Sequence, residues 1–437
     1  MKNREPGMMM IYTLVMNFFM AAFVLALPLI YLFSEKRRAN LLLRFGFGTA
    51  WKAKPPGEKR IWIHALSVGE VRSVVPLVKA LKDLHGQVSI VFTASTRTGL
   101  ETARQFFIKP GMRMVDQLGY FPFDFGYSVR KIATLIDPDA VIIVETDIWP
   151  NFLCEMKQRR IPVVLVNARL SERSFKGYLR VKRFFSTVFS CFTEIMVQSP
   201  MDADRFQRLG INPEKIQVTG NLKFDQALED VEDSFIPAMR ARLNIRAQTL
   251  VWVAGSTHEG EEDILLRVYQ QLKPKYPGLM MILAPRDPGR CHALLPHMVS
   301  MGICASLLSQ ATSLPYEIVL VDEMGVLSRL YGLCHAAYIG GSLVSEGGHN
   351  PLEPAAFSKP ILFGQDMSDF LLISSLLRDQ GGSKQVGAET ELAHELDILL
   401  GSQDLRNRMG RLNHEVFLNH SGAVQKIVRN LERLHIV

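Results

Sequence analysis

Six short loops collect the residue types that chemistry uses: Ser67–Glu70, Ser95–Thr98, Glu145–Asn151, Gly255–Glu259, Pro285–Arg290 and Gly340–Asn350. Glu70, Glu145 and Asp147 offer carboxylates, and Arg286 offers a forked guanidinium suited to phosphate oxygens. The glycine pairs Gly340–Gly341 and Gly347–Gly348, with Ser342 and Ser345 between them, form a bend able to present backbone N–H groups to an anion at a helix N-terminus. Asn350 suits the cap of that helix, Pro351 its first turn, and Glu353 the capping-box position. The same stretch reads equally well as a capped helix after a loop. Glu70 lies in a strand-to-helix turn, where any carboxylate complements the helix dipole. Gly69 before it also admits the close approach of a substrate. Glu145 and Asp147 sit where a buried strand meets a Pro-stopped loop, a place for structural hydrogen bonding or for positioning a substrate.

Each of these loops follows an apolar run of strand length. RIWIHAL, VSIVFTA, AVIIVET, PVVLVNA, EIMVQS and KIQVTGN read as strands in the first half, and TLVWVAGST, LMMILAPR, IVLVD, AAYIGG and PILFG in the second. Helical stretches separate them, which predicts parallel, doubly wound sheets. Ligands of such sheets bind at the C-terminal ends of the strands, where all six loops fall. The expected architecture is α/β with two Rossmann-like domains facing a cleft. The boundaries are residues 1–50 for an N-terminal anchor and basic segment, 51–225 for the first domain and 226–437 for the second. The boundary lies in the acidic stretch near residues 222–245.

At 437 residues, 48% hydrophobic and 21% charged, the chain is a folded protein with room for two cores. Its net charge of +7 is spread without the clustered runs of a nucleic-acid-binding arm, and instead fits an anionic membrane or a phosphorylated substrate. The five cysteines are scattered with no CxxC pair, and the histidines show no HExxH spacing. Reduced thiols and no metal are expected. Residues 8–33 carry no charge, long enough to cross a bilayer. Lys36, Arg37, Arg38 and Arg44 follow, which predicts a single span with the body in the cytoplasm. Arg169, Arg173, Lys176, Arg180, Lys182 and Arg183 interleave with Phe175, Tyr178, Phe184 and Phe185, a pattern for a membrane surface.

Taken together, HALSVGE (64–70), ETDIWPN (145–151), NARLSERSFKGY (167–178), TGNLKFD (219–225), AGSTHEGEE (254–262), LAPRDPGR (283–290) and GGSLVSEGGHNPLEPAAF (340–357) resemble the Kdo transferases of lipopolysaccharide synthesis, glycosyltransferase family 30. The resemblance spans essentially the whole chain. It implies a GT-B fold and inverting transfer of 3-deoxy-D-manno-oct-2-ulosonic acid (Kdo) from CMP-Kdo to a lipid A precursor at the cytoplasmic face of the inner membrane, with no cofactor. Glu70 falls on the family's catalytic carboxylate. The donor is expected on Lys223, Ser256, Thr257, Arg286, Met324, Gly325, Gly340, Gly341, Ser342, Gly347, Gly348, Asn350 and Glu353, the last holding the ribose hydroxyls. The acceptor is expected on Ser67, Gly69, Ser95, Thr96, Arg97, Glu145, Asp147, Arg169 and Arg173. Residues 422–435 match a final helix that often returns to the first domain. Two positions depart from the family pattern: Asp287 after Ala-Pro-Arg, and Val326 after Met324–Gly325. The partners that the resemblance implies are CMP-Kdo, the lipid A precursor and an anionic inner-membrane lipid surface, and no nucleic acid is expected. The alternatives are another GT-B enzyme, such as a UDP-hexosamine transferase or epimerase, and a tethered nucleotide-binding module without turnover.

Overall fold

Continuous apolar runs fold as buried parallel strands in both halves of the chain. The computed structural model describes residues 12–16, 41–48, 51–84, 88–109, 112–145, 147–226, 234–312 and 315–437. They form two units, one of residues up to Gln226 together with Ser421–Val437, the other of Ala227–His420.

The first unit holds β1 (Lys59–Ala65), β2 (Val88–Ala94), the small antiparallel pair β3 (Ile108–Lys109) and β4 (Met112–Arg113), β5 (Gln117–Tyr120), β6 (Ala140–Val144), β7 (Val163–Ala168), β8 (Glu194–Val197) and β9 (Ile216–Val218). The main sheet is wholly parallel, in the order β5-β2-β1-β6-β7-β8-β9. All seven residues of β2 are buried, as a strand covered by helices on both faces requires. Side chains alternate between two cores. Ile61 and Ile63 pack with Val71, Val74 and Leu77 of the helix Val68–Leu84 on one face. Trp62 packs with Val141, Phe152 and Phe189 on the other.

The last helix, Ala423–Arg433, completes the first of these cores with Ile427, Val428 and Leu431. Asp225 ties it down: its Oδ1 accepts the Gly422 N–H and its Oδ2 the Val424 N–H, each at 2.6 Å. The second unit therefore ends at His420 and not at the C-terminus.

The second unit holds β10 (Val251–Thr257), β11 (Met280–Pro285), β12 (Ala305–Leu307), β13 (Ile318–Leu320), β14 (Ala336–Ile339), β15 (Ile361–Phe363) and β16 (Ser383–Gln385). They form a parallel sheet in the order β12-β13-β11-β10-β14-β15-β16. Trp252, Leu283 and Tyr338 of this sheet pack on Leu265, Tyr269 and Leu396.

The principal strands expected from the sequence are present. Three of the additional ones, β5, β12 and β16, are edge strands of three or four residues. In β16 only Ser383 is buried, so no apolar run announces it.

Most of the uncharged stretch 8–33 lies outside the described residues. Among the described residues no helix is long and apolar enough to cross a membrane. Residues 12–16 are helical, and they dock on the first unit: the Tyr12 hydroxyl donates to Asp124 Oδ2 at 3.0 Å and the Thr13 hydroxyl to Asn151 Oδ1 at 2.8 Å. Arg44 is half-buried in the same unit, its Nε on the Phe121 carbonyl at 3.0 Å and its guanidinium over the Phe123 ring.

Candidate active site

Each sheet reverses its direction of growth once, between β1 and β6 in the first unit and between β10 and β14 in the second. The C-terminal ends at such a reversal open a crevice where ligands of open α/β sheets bind. The residues just beyond these four strands are Leu66–Glu70, Glu145–Asp147, His258–Glu261 and Gly340–Leu343.

In the first unit Glu70 is 8% exposed in the first turn of the helix Val68–Leu84. Its Oε2 accepts the Leu66 N–H at 2.5 Å, and its Oε1 the Ser67 hydroxyl at 3.2 Å. Burial, then the negative charges of Asp147 and Glu145, push its carboxyl up to about 8. Such a carboxyl is mostly protonated at neutral pH, and its ionised form, which can take a proton from a hydroxyl as a general base, gains population as pH rises toward 8.

Glu145 follows β6 with φ +60°, a left-handed conformation rare for a non-glycine residue. Burial raises its carboxyl as well, while Lys223 and Arg169 draw it back down. Lys223, expected with the donor residues, thus belongs to the first unit. Its helix, Leu222–Gln226, is held by Asn167, whose Oδ1 accepts the Leu222 N–H at 3.0 Å. Asn167, next to last in β7 and left-handed at φ +55°, lies where the β7–β8 register shifts between Leu165 and Ala168. Backbone of this kind is a recurrent mark of functional sites.

Asp147 stands 3.4 Å from Nε2 of the fully buried His64, whose ring stacks on Phe121 and whose Nδ1 is 3.0 Å from the Thr93 carbonyl. Ser95 approaches the same Nε2 at 3.4 Å. Ser67, Glu70, Ser95, Glu145 and Asp147 thus share one rim, and exposed Gly69 borders it. Thr96 caps the helix Arg97–Phe107 through the Gly99 N–H. Arg97 is exposed and paired with Glu101 at 2.7 Å. Arg169 and Arg173 are exposed.

In the second unit the glycine-rich bend is organised from within. Glu261, fully buried, accepts the N–H groups of Ser342 at 3.0 Å and Leu343 at 2.9 Å and the Tyr338 hydroxyl at 2.8 Å on Oε1. Its Oε2 takes the N–H of Gly341 at 2.7 Å and of His258 at 3.0 Å. Gly340 donates to the Gly255 carbonyl, Gly347 to Asp366 and Gly348 to the Gly341 carbonyl. The bend expected to offer its backbone N–H groups to a phosphate has spent these on the protein itself. Glycine is required here for close approach: a Cβ at Gly340 would lie 2.3 Å from the Ser256 carbonyl oxygen.

Ser256 is left-handed at φ +57°, and Thr257 is buried on Glu262 at 3.3 Å. The Arg286 side chain is half-buried and makes no hydrogen bond or ion pair among the described residues. Arg290, four residues on, is spent on Glu259 and Glu262. Met324 is 68% exposed beside Gly325 at φ +82°. Ser342 is buried and accepts the Gly364 N–H at 2.7 Å. Asn350 Oδ1 takes the Leu352 N–H at 3.1 Å, and Glu353 lies in the first turn of the short helix Leu352–Ala356. Asp287 closes the turn Pro288–Arg290 by accepting the Gly289 N–H. No cluster of three or more metal-ligating side chains occurs among the described residues.

His64, Asn167 and Glu261 escaped the sequence reading. Glu261 follows a glycine at a helix start and so looks like an ordinary dipole-complementing acid. Four of its five donors, on Tyr338, Gly341, Ser342 and Leu343, come from elsewhere in the chain.

Known proteins bear the same pattern. The family model of 3-deoxy-D-manno-octulosonic-acid transferase (kdotransferase) matches residues 39–226. A 3-deoxy-D-manno-octulosonic acid transferase of Haemophilus influenzae is 34% identical over 399 residues, 90% of this chain and 91% of that protein. One of Rickettsia typhi is 30% identical, covering 92% and 83%. Among solved structures, UDP-GlcNAc 2-epimerase from Neisseria meningitidis bound to UDP-GlcNAc superposes with a TM-score of 0.56 at 16% identity, over 86% of this chain and 100% of that one, a likeness of fold alone. With a relative above 30% identity along nine-tenths of its length, and the family's motifs at the ends of its strands, the chain belongs to the 3-deoxy-D-manno-octulosonic acid transferases, which are glycosyltransferases.

Proposed function

We propose that the chain moves Kdo from CMP-Kdo to a lipid A precursor by direct displacement with inversion, with Glu70 as the base. The observation that carries this is the Glu70 carboxyl, buried at the end of β1 with Glu145 and Asp147 raising its proton affinity. A sugar hydroxyl holds its proton far above neutral pH, so the acceptor needs a base as its oxygen bonds to the anomeric carbon. Glu70 takes that proton. The bond from the anomeric carbon to the CMP phosphate breaks, and its electron pair leaves with the phosphate.

Arg286 is the proposed phosphate ligand, since its guanidinium is uncommitted while the N–H groups of Gly341 and Ser342 are not. Ser256, Thr257, Met324, Gly325, Asn350 and Glu353 complete the donor side in this reading. Lys223, drawn toward Glu145, serves the phosphate or the Kdo carboxylate. The positive groups stand in for a metal, so neither metal nor cofactor enters the scheme.

The uncharged stretch 8–33 is proposed to anchor the chain in the inner membrane with the body cytoplasmic, its residues 12–16 packing on the first unit rather than in the bilayer. The exposed cations Arg173, Lys176, Arg180, Lys182 and Arg183 would then lie on anionic lipid; Phe175 of the same segment is buried and Phe184 and Phe185 half-buried. The test is product mass from purified protein, CMP-Kdo and lipid acceptor. A gain of one or more Kdo units supports the reading. Binding of CMP with no turnover, or preference for a UDP-sugar, overturns it.

A further inference from the structure

Two histidines meet in the second unit where the loops after β10 and β14 come together. The Nε2 atoms of His258 and His349 are 2.8 Å apart, and the rings are parallel within 9°. At that distance one ring donates and the other accepts, because facing lone pairs or facing hydrogens repel. The loop is built around this contact. His258 is fixed by its main chain: its N–H donates to Glu261 Oε2, and its carbonyl accepts the Glu261 N–H at 3.1 Å. A Cβ on Gly341, which sits at φ +70°, would come within 3.2 Å of the His349 ring and 3.4 Å of the His258 ring. Both imidazoles are half-buried at the reversal point of the sheet.

We propose that the His258–His349 pair is a proton-linked receptor for the donor's phosphate, taking up one proton as the anion binds and meeting the charge that develops as CMP departs. The proposal rests on the donor reading above. The neutral pair has one N–H in its bridge, and a proton added to a ring nitrogen outside the bridge gives a pair of charge +1 without breaking it. A phosphodiester such as CMP-Kdo carries one negative charge on its phosphate. When the bond to the sugar breaks, the electron pair makes the phosphate of CMP a dianion, and the second charge appears beside the charged pair.

The charged groups on the adjoining loops are largely engaged with the protein. Glu261 is saturated by five donors, Glu259 and Glu262 pair with Arg290, and Asp366 accepts from Gly347 and Ser368. Glu346, Asp369 and Arg286 are the other charged groups on these loops, and the Arg286 backbone N–H is on the Thr257 carbonyl at 2.9 Å.

The test is calorimetric titration of the full chain with CMP, in buffers of different ionisation enthalpy, from pH 6.5 to 8.5. His258→Gln and His349→Gln, examined separately, keep a hydrogen-bonding amide near Nε2 and cannot titrate. At pH 7 the CMP phosphate, with a second pKa of about 6, is already mostly dianionic, so a proton taken up goes to the protein. The wild type is expected to take up a fraction of a proton that each variant does not. Its affinity advantage over either variant should grow at least about threefold from pH 8.5 to 6.5, within the limit of about tenfold per pH unit for one linked proton. Equal proton counts for wild type and a folded variant that still binds CMP would make the pair a structural bridge and leave the donor reading standing. If the wild type takes up no proton at pH 7, the proposal fails without reference to either variant. Failure of the wild type to bind CMP at any pH would overturn both.

Discussion

Replacing Glu261 by Gln isolates the role of the carboxylate inside the glycine-rich bend. Its two oxygens accept five donors, three on Oε1 and two on Oε2. A glutamine keeps one oxygen, and its best orientation leaves that oxygen facing Tyr338, Ser342 and Leu343. The NH2 group then confronts the N–H groups of His258 and Gly341, orphaning both. A buried unpaired donor costs about 1–3 kcal/mol, so the change costs about 2–6 kcal/mol in all. That is comparable to the stability of a whole domain, about 5–15 kcal/mol. Because a protein of two units need not unfold in one step, the loss is best read locally. Hydrogen–deuterium exchange of peptides spanning residues 338–345 should accelerate by roughly thirty-fold to ten-thousand-fold, at about 1.4 kcal/mol per tenfold. CMP affinity should fall with it. Unchanged exchange in that peptide would refute the claim that Glu261 holds the bend.

Three further outcomes are expected. Asp225→Ala removes both acceptors of the final helix start and should cost about 1–2 kcal/mol, seen as faster proteolysis within residues 421–437. Glu70→Gln should stabilise the protein increasingly with pH. The folded carboxyl, at about 8, lies above the unfolded value of about 4.3, so the contribution of Glu70 is whole below about pH 4 and is lost as pH rises toward 8. The melting-temperature difference between variant and wild type should therefore widen from pH 5 to 8.5, and a flat difference would deny the shift. Arg286→Ala should weaken CMP binding by about 1.5–3 kcal/mol, the range for a hydrogen bond to a charged group, and chelation of divalent metals should leave wild-type binding unchanged.

The fold was largely legible because its principal strands are apolar on both faces: β2, β6 and β7 are buried at every position. The three sheet-edge strands missed carry short, mixed sequences, since an edge strand need not be apolar on both faces. The return of the final helix rests on Asp225 meeting amides some two hundred residues away, which no local pattern records. The candidate site was legible where a residue stands next to its own strand, as with Glu70, Glu145 and Arg286. It was not legible where function depends on who occupies a partner. The glycine-rich bend reads as an open anion cradle, yet Glu261 fills it. His258 and His349 lie far apart in the chain and form a pair only because β10 and β14 are neighbours.

The central claim is that Glu70 is the base of Kdo transfer, and the direct measurement is the pH dependence of transfer by wild type and Glu70→Gln. In the wild type kcat/KM should rise with pH through an apparent pKa near 8, where burial beside Asp147 and Glu145 places the carboxyl. The glutamine variant keeps the shape and loses the basicity. Its turnover should fall by about 10²–10⁴ or beyond and lose that rising limb, with CMP affinity nearly unchanged. A variant that kept near-normal turnover with the same pH profile would contradict the claim, leave Glu70 a helix-terminus carboxylate, and make Glu145 and Asp147 the next bases to test.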